Sequence, residues 1–155
     1  VDINKIKLRF VGRFGNEVLE MFKNDTLKNS IEVINYLPHS ESVKLLLKSE
    51  ALLMIVDDYT GNEEIVPGKV FEYIGSKRPI ITLAPQGAVA NIIQETECGR
   101  VANSKDISGI KSIFLEYYNK YIDNNFTSEV NEDKIKKYER KELTRKLAEL
   151  FNSVV

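Results

Sequence analysis

The sequence predicts an α/β fold, a doubly wound parallel sheet with helices layered on both faces. Three observations point there. Short β-rich runs alternate with amphipathic stretches of helical spacing along most of the 155 residues. Two of those runs, Leu52-Leu53-Met54-Ile55-Val56 and Pro79-Ile80-Ile81-Thr82-Leu83-Ala84, are almost unbroken in apolar residues, as strands covered on both faces must be. Glycine or proline marks many of the boundaries between the two kinds of segment.

Each element follows in order. Ile6-Lys7-Leu8-Arg9-Phe10-Val11 reads as the first strand, ended by Gly12, and residues 14–24 as a helix with Val18, Leu19 and Phe22 at helical spacing. Ile31 to Tyr36, rich in β-branched residues, is the second strand. Ser40 is the expected N-cap of a helix reaching about Glu50, with Val43, Leu46 and Leu47 on one face. The apolar run 52–56 is a central strand, and a polar loop from Asp57 to Pro67 follows it. Residues 69–77 carry Val70, Phe71 and Ile74 as a short helix. The run 79–84 is a second buried strand, with proline at its start, where a missing N–H is tolerated. Residues 87–97 are helical with Val89, Ile92 and Ile93 inward, and Arg100-Val101-Ala102 is a last short strand. A longer helix is expected over 105–123, a loose polar linker over 124–131, and one charged terminal helix over 132–155 with Leu143, Leu147, Leu150 and Phe151 on one stripe. Strand–helix alternation of this kind implies right-handed crossovers between parallel strands.

Composition excludes several classes of function. A length of 155 residues suits one domain with a single core. The single cysteine, Cys98, cannot form an internal disulfide, which makes a reducing, cytoplasmic setting the expectation. A net charge of −1 argues against a nucleic-acid partner. No apolar run approaches the roughly 20 residues that span a bilayer. The chain begins with Val1, which reads as a cut within a longer protein.

In doubly wound sheets ligands sit outside the carboxyl ends of the strands. Function is therefore expected in four loops: Gly12–Gly15, Leu37–Ser40, Asp57–Gly68 and Pro85–Ala88. In the first, glycines let backbone N–H groups approach a phosphate and Arg13 adds a charged fork, although two glycines also suit a plain turn. In the third, Gly68 precedes a helix start that favours an anion. Lys69 at that position is unfavourable beside the helix dipole unless an anion is bound. Glu72 falls in the first turn, where a carboxylate can accept both hydroxyls of a ribose diol. An acid there also stabilises a helix without any ligand.

The stretch Pro67-Gly68-Lys69-Val70-Phe71-Glu72-Tyr73-Ile74-Gly75-Ser76-Lys77-Arg78-Pro79-Ile80-Ile81 resembles the donor-binding half of GT-B glycosyltransferases, family 4 above all. Seven residues separate Glu64 and Glu72, as in the E-x7-E arrangement of retaining members. The segments Pro38-His39-Ser40, Gly87-Ala88-Val89-Ala90 and Cys98-Gly99-Arg100-Val101 are similar to the family's base-side loop, next loop and short last strand. The resemblance implies a Rossmann-like domain that binds a nucleotide sugar. Glu72 would hold the ribose and Glu64, the catalytic candidate, the hydroxyls of the donor sugar. Gly12 and Arg13 would face the diphosphate, with Lys69 a further cation for it. Leu37 and Pro38 would flank the base, and Gly87 and Ala88 would approach the sugar or phosphate by backbone N–H. Such enzymes commonly need no metal or other cofactor for the donor. The resemblance further implies an amino-terminal acceptor-binding half beyond this chain, and a peripheral membrane association through the whole enzyme. Two departures stand out: no lysine follows Arg13 in Gly15-Asn16-Glu17-Val18-Leu19, and Ile65-Val66 replaces the usual aromatic–glycine pair after Glu64.

Other conspicuous residues have plainer readings. His39 reads as an exposed loop histidine, Cys98 as a buried structural thiol, and Tyr117, Tyr118 and Tyr121 as packing residues. The charge run 134–146 contains both signs and reads as a solvated helix face. Asp57-Asp58 after the central strand suggests a phosphoacceptor of a receiver domain, but the acids that would hold its Mg²⁺ are replaced by Gly12-Arg13. Two alternatives to a transferase remain: a nucleotide-sugar epimerase of the same fold, and a non-catalytic interaction module. The feature that separates the module from a transferase half is an exposed apolar patch: a lost half-interface should leave one at the ligand edge or along Leu143–Phe151.

Overall fold

A computed structural model describes residues 1–24, 27–126 and 130–154. Residues 127–129, within the expected linker, and Val155, at the end of the expected terminal helix, lie outside the described residues. The chain divides into two compact units, Val1–Lys48 and Ser49–Val155, each described by itself.

The first unit contains a 3₁₀ turn at Ile3–Lys5, then β1 (Leu8–Val11), α1 (Asn16–Asn24), β2 (Ile31–Ile34) and α2 (His39–Lys48). β1 and β2 pair in parallel, Leu8 opposite Ile31 and Val11 opposite Ile34. Parallel pairing needs a crossover, which α1 supplies. Phe10 of β1 stacks on Phe22 of α1 with ring centroids 4.7 Å apart, and Phe14 stands edge-on to both. Val18, expected on the same inward face, is exposed, so Leu19 and Phe22 carry the packing of α1. Ser40 is not the cap of α2. The carbonyl of Pro38 already accepts the N–H groups of Glu41 and Ser42, both at 3.0 Å, which puts the helix start at His39 and Ser40 inside it.

The second unit contains β3 (Leu52–Ile55), a 3₁₀ turn at Asn62–Glu64, α3 (Lys69–Gly75), β4 (Ile80–Leu83), α4 (Ala88–Thr96), β5 (Gly99–Ala102), α5 (Ile107–Ile122), α6 (Glu132–Lys136) and α7 (Arg140–Val154). Its three strands are parallel in the order β3-β4-β5. Side chains alternate between the two faces. One face carries Ile81 and Ala102, which pack with Leu53 and Leu83 against Ile113 and Tyr117 of α5. Leu52, Met54, Ile80 and Thr82 point to the opposite face; all are buried, as are Val89, Ala90 and Ile93 of α4. The α/β class and the parallel, helix-covered sheet expected from sequence are thus present. Strand pairing falls into two sheets, one per unit.

The expected single terminal helix is two. Asn131 caps α6 through its side-chain oxygen, which accepts the N–H of Lys134. The N–H groups of Tyr138 and Glu139 then close three-residue turns onto Ile135 and Lys136, and α7 starts afresh. Tyr138 is held at this break. Its ring meets Phe71 of α3 at 6.0 Å and its hydroxyl donates to Glu95 of α4 at 2.8 Å. Ile135 is buried, Lys134 pairs with Glu97 at 2.6 Å, Lys137 pairs with Glu95, and Lys77 pairs with Glu132. The start of the charge run is therefore a strap over α3 and α4 rather than a solvated face. On α7 the solvated reading holds for the charges, while Leu143, Leu147, Leu150 and Phe151 are all exposed. No helix among the described residues is long and apolar enough to cross a membrane.

Thr82 sits fully buried in β4, and among the described residues its hydroxyl has no hydrogen-bond partner. An unsatisfied buried hydroxyl costs about 1–3 kcal/mol. Thr82→Val keeps the shape and removes that oxygen, so the variant should be as stable as the parent or about 1 kcal/mol more stable, read from the midpoint of urea unfolding. A loss of stability would mean that the hydroxyl has a partner, such as an ordered water.

Candidate functional site

In a parallel sheet every loop that follows a strand leaves from the carboxyl edge, so each unit gathers its candidates there. In the first unit these are Gly12, Arg13, Leu37 and Pro38. Gly12 has φ +151°, a conformation that L side chains rarely adopt, and its N–H donates to the Ile34 carbonyl at 3.0 Å. That bond extends the ladder one residue past β1. Arg13 is exposed, and its guanidinium lies over the ring of Tyr36, 5.4 Å from the centroid. Leu37 is half-buried and Pro38 exposed, its carbonyl committed to the start of α2. His39 is exposed at that helix start.

In the second unit the loop after β3 is folded onto the loop after β4. Gly61 donates its N–H to the Glu63 carboxylate at 2.8 Å, and the Asn62 side chain donates to the Asp57 carbonyl at 3.0 Å. A Cβ on Gly87 would lie 2.1 Å from the Glu63 carbonyl oxygen. The absent side chain is what lets the Asn62–Glu64 turn seat against the start of α4. Gly87 thus has a packing task that its expected role as an N–H donor did not include. Among the described residues no side-chain cap is seen at the Gly87 start of α4, whose first N–H groups have no intrahelical partner, and Ala88 opens it half-buried.

The helix start at Gly68 differs from expectation. The N–H groups of Val70 and Phe71 already bond to the carbonyls of Pro67 and Gly68, at 2.9 and 3.2 Å. Those donors are spent, and α3 is only seven residues long. Its start therefore offers an anion little beyond the Lys69 ammonium. Glu72 does lie in the first turn. The side chains of Glu64, Lys69 and Glu72 are exposed and, among the described residues, form no hydrogen bond or ion pair.

One polar contact was missed by sequence reasoning. Asp58, after β3, pairs with the Lys105 ammonium at 2.9 Å and accepts from the Asn103 amide at 3.4 Å, both after β5. The pair therefore spans the carboxyl end of β4, which lies between those strands. The hydrogen bond from Lys105, helped by Asn103, holds the Asp58 carboxyl below its ordinary value. The signal was available: loops after β3 and β5 of a parallel sheet share an edge, and one carries acids while the other carries Asn103 and Lys105.

Cys98 is buried, and burial pushes its thiol up, away from nucleophilic use. Tyr117 lies in the core against Phe126, with Tyr121 beside it. Among the described residues no group of three or more His, Cys, Asp or Glu side chains is placed to hold a metal ion. No protein-family model matches the chain, and no curated protein matches it.

Two outcomes follow from this geometry. Gly87→Ala should destabilise the chain by about 1–3 kcal/mol and displace the amide resonances of residues 61–65. An unchanged spectrum would mean that the turn is not seated there. For Asp58, a carboxyl lowered by folding contributes stability above its unfolded value of about 3.9, and that contribution disappears as pH falls through the lowered one. A carboxyl-carbon NMR titration should place Asp58 below that value, and Lys105→Met should return it upward. Coincident titrations would exclude the pair.

Proposed function

We propose that the chain is the donor-binding half of a glycosyltransferase. The whole enzyme would move a sugar from a nucleoside-diphosphate donor to an acceptor held by an amino-terminal half, with retention at the transferred carbon. The observation that carries this reading is the state of the loop after β3. The Asn62–Glu64 turn is seated on Gly87 at the start of α4, at the carboxyl edge where a nucleotide ligand belongs in such a sheet. The turn is held by contacts of the Glu63 backbone and side chain and of the Asn62 amide. Glu64 is left out of them, and so are the nearby Lys69 and Glu72.

The roles are those the resemblance implies. Glu72 accepts hydrogen bonds from the ribose hydroxyls, and Glu64 from those of the donor sugar. In the first unit Arg13, beside the N–H-bearing turn at Gly12, is the cation offered to a diphosphate, and Leu37 and Pro38 are the candidates to flank a base. In the second unit Lys69 is the cation candidate, and Ala88, at the start of α4, offers backbone N–H groups. Cations and helix starts would neutralise the diphosphate without a metal.

The other reading, a non-catalytic interaction module, also accommodates the exposed apolar stripe Leu143, Leu147, Leu150 and Phe151 on α7. A transferase half parted from its acceptor-binding half would leave the same kind of stripe. Nucleotide binding divides the two. The chain, titrated with UDP, GDP and dTDP and their sugars by calorimetry or NMR, should bind at least one of them. Glu72→Ala should then weaken it about 10- to 100-fold, the scale of hydrogen bonds to a charged acceptor. If none binds, the donor-binding reading is wrong; if Glu72→Ala binds as the parent does, the ribose assignment is wrong.

A further inference from the structure

Resting on the donor-binding reading, we infer that Tyr36 is the positioning residue for Arg13: its ring holds the guanidinium at the carboxyl edge of β1 and β2, ready for a nucleoside diphosphate. The register of the two strands brings the residues together. Arg9 lies opposite Glu32 and Val11 opposite Ile34. The Gly12 N–H bonds to the Ile34 carbonyl and carries the pairing one step further. Arg13 and Tyr36 are each two residues past the last opposed pair, and the guanidinium carbon sits 5.4 Å from the ring centroid.

The contrast with Arg9 four residues earlier shows what the ring achieves. Arg9 faces a carboxylate, and its Nε donates to Glu32 at 2.7 Å, so part of its donor fork is already consumed. At the matching place along the strand Arg13 meets an aromatic ring. A ring attracts a guanidinium through its face and, unlike a carboxylate, forms no ion pair or strong hydrogen bond with its N–H groups. The fork of Arg13 therefore stays open for the paired oxygens of a phosphate, which it fits two at a time. Among the described residues it makes no ion pair. The ring also limits the rotamers of a long side chain before any ligand arrives, so less freedom is lost on binding. Tyr36 is 65% exposed, so filling a core does not explain it.

The experiment compares the parent with Tyr36→Phe, Tyr36→Ala, Arg13→Ala and the double alanine variant. Each is titrated with whichever of UDP, GDP or dTDP binds, with its nucleoside, and with inorganic pyrophosphate, after circular dichroism has established folding. Tyr36→Ala should weaken the nucleoside diphosphate and pyrophosphate about 3- to 10-fold, the scale of a cation–ring contact. Tyr36→Phe should bind like the parent, since the ring face is kept. The nucleoside should be unaffected, and Tyr36→Ala should add nothing once Arg13 is gone. Equal losses for nucleoside and diphosphate would make Tyr36 a wall for the base and overturn the inference. Additive effects of the two alanine changes would overturn it as well, as would unchanged diphosphate binding by Tyr36→Ala. If no nucleoside diphosphate binds but pyrophosphate does, with the two residues coupled, the donor reading falls while the role of Tyr36 survives. Binding of neither overturns both.

Discussion

Within the second unit everything answers to the burial of β4. This strand is paired on both edges, by β3 and β5, and covered on both faces. A strand enclosed in this way can carry almost nothing but apolar side chains, and its backbone groups are taken by its neighbours. Each consequence follows from that. The connections on either side must cross over to keep the strands parallel, α4 and α5 must show it apolar stripes, and all three loops that follow the strands must leave at one end. The Asp58–Lys105 pair over β4 and the seating of Glu63 on Gly87 are contacts among those loops. They form where the parallel topology brings the loops after β3, β4 and β5 to one end of the sheet.

This is also why the fold was legible in the sequence. A double-covered strand is a nearly unbroken apolar run, and an amphipathic helix repeats its apolar residues at fixed spacing, so both signals survive in one dimension. The strands at 52–55 and 80–83 and the helices at 88–96 and 107–122 are found where those patterns stand. What escaped depends on partners distant in sequence. The break between α6 and α7 has no glycine or proline to mark it. It is made by Tyr138 reaching Phe71 and Glu95, and by lysines reaching α4. Helical spacing continues across 137–139, so periodicity alone reads one helix. The start of α2 moved for a local reason, because the Pro38 carbonyl did what a Ser40 hydroxyl was expected to do.

The candidate site was legible to a different degree. Residue types and loop positions were readable, because the topology of parallel sheets assigns loops to an edge. The state of each group was not. At Gly68 the helix start has spent its donors on its own turn, while at Ala88 the start remains uncapped. A sequence that places glycine before both cannot separate them. Gly87 illustrates the same limit: a glycine kept for ligand approach and one kept for the approach of a neighbouring backbone look alike until the neighbour, here Glu63, is located.

The charges divide by use. Most of those involved in packing are matched: Arg9 with Glu32, Arg100 with Glu116, Lys105 with Asp58, Lys134 with Glu97. Exposed pairs of this kind contribute little each, commonly less than about 1 kcal/mol. Their value lies in orientation: a matched side chain fixes where its loop or helix sits. At the carboxyl edges, Glu64, Lys69, Glu72 and Arg13 form no ion pair among the described residues. A surface of solvated charges would leave such groups at random. Here Arg13 is unmatched yet held in place by a ring, and Glu64 is unmatched on a turn fixed by three other contacts. Under the proposed reading, being positioned but unsatisfied is the property that would separate a ligand-facing group from a merely exposed one.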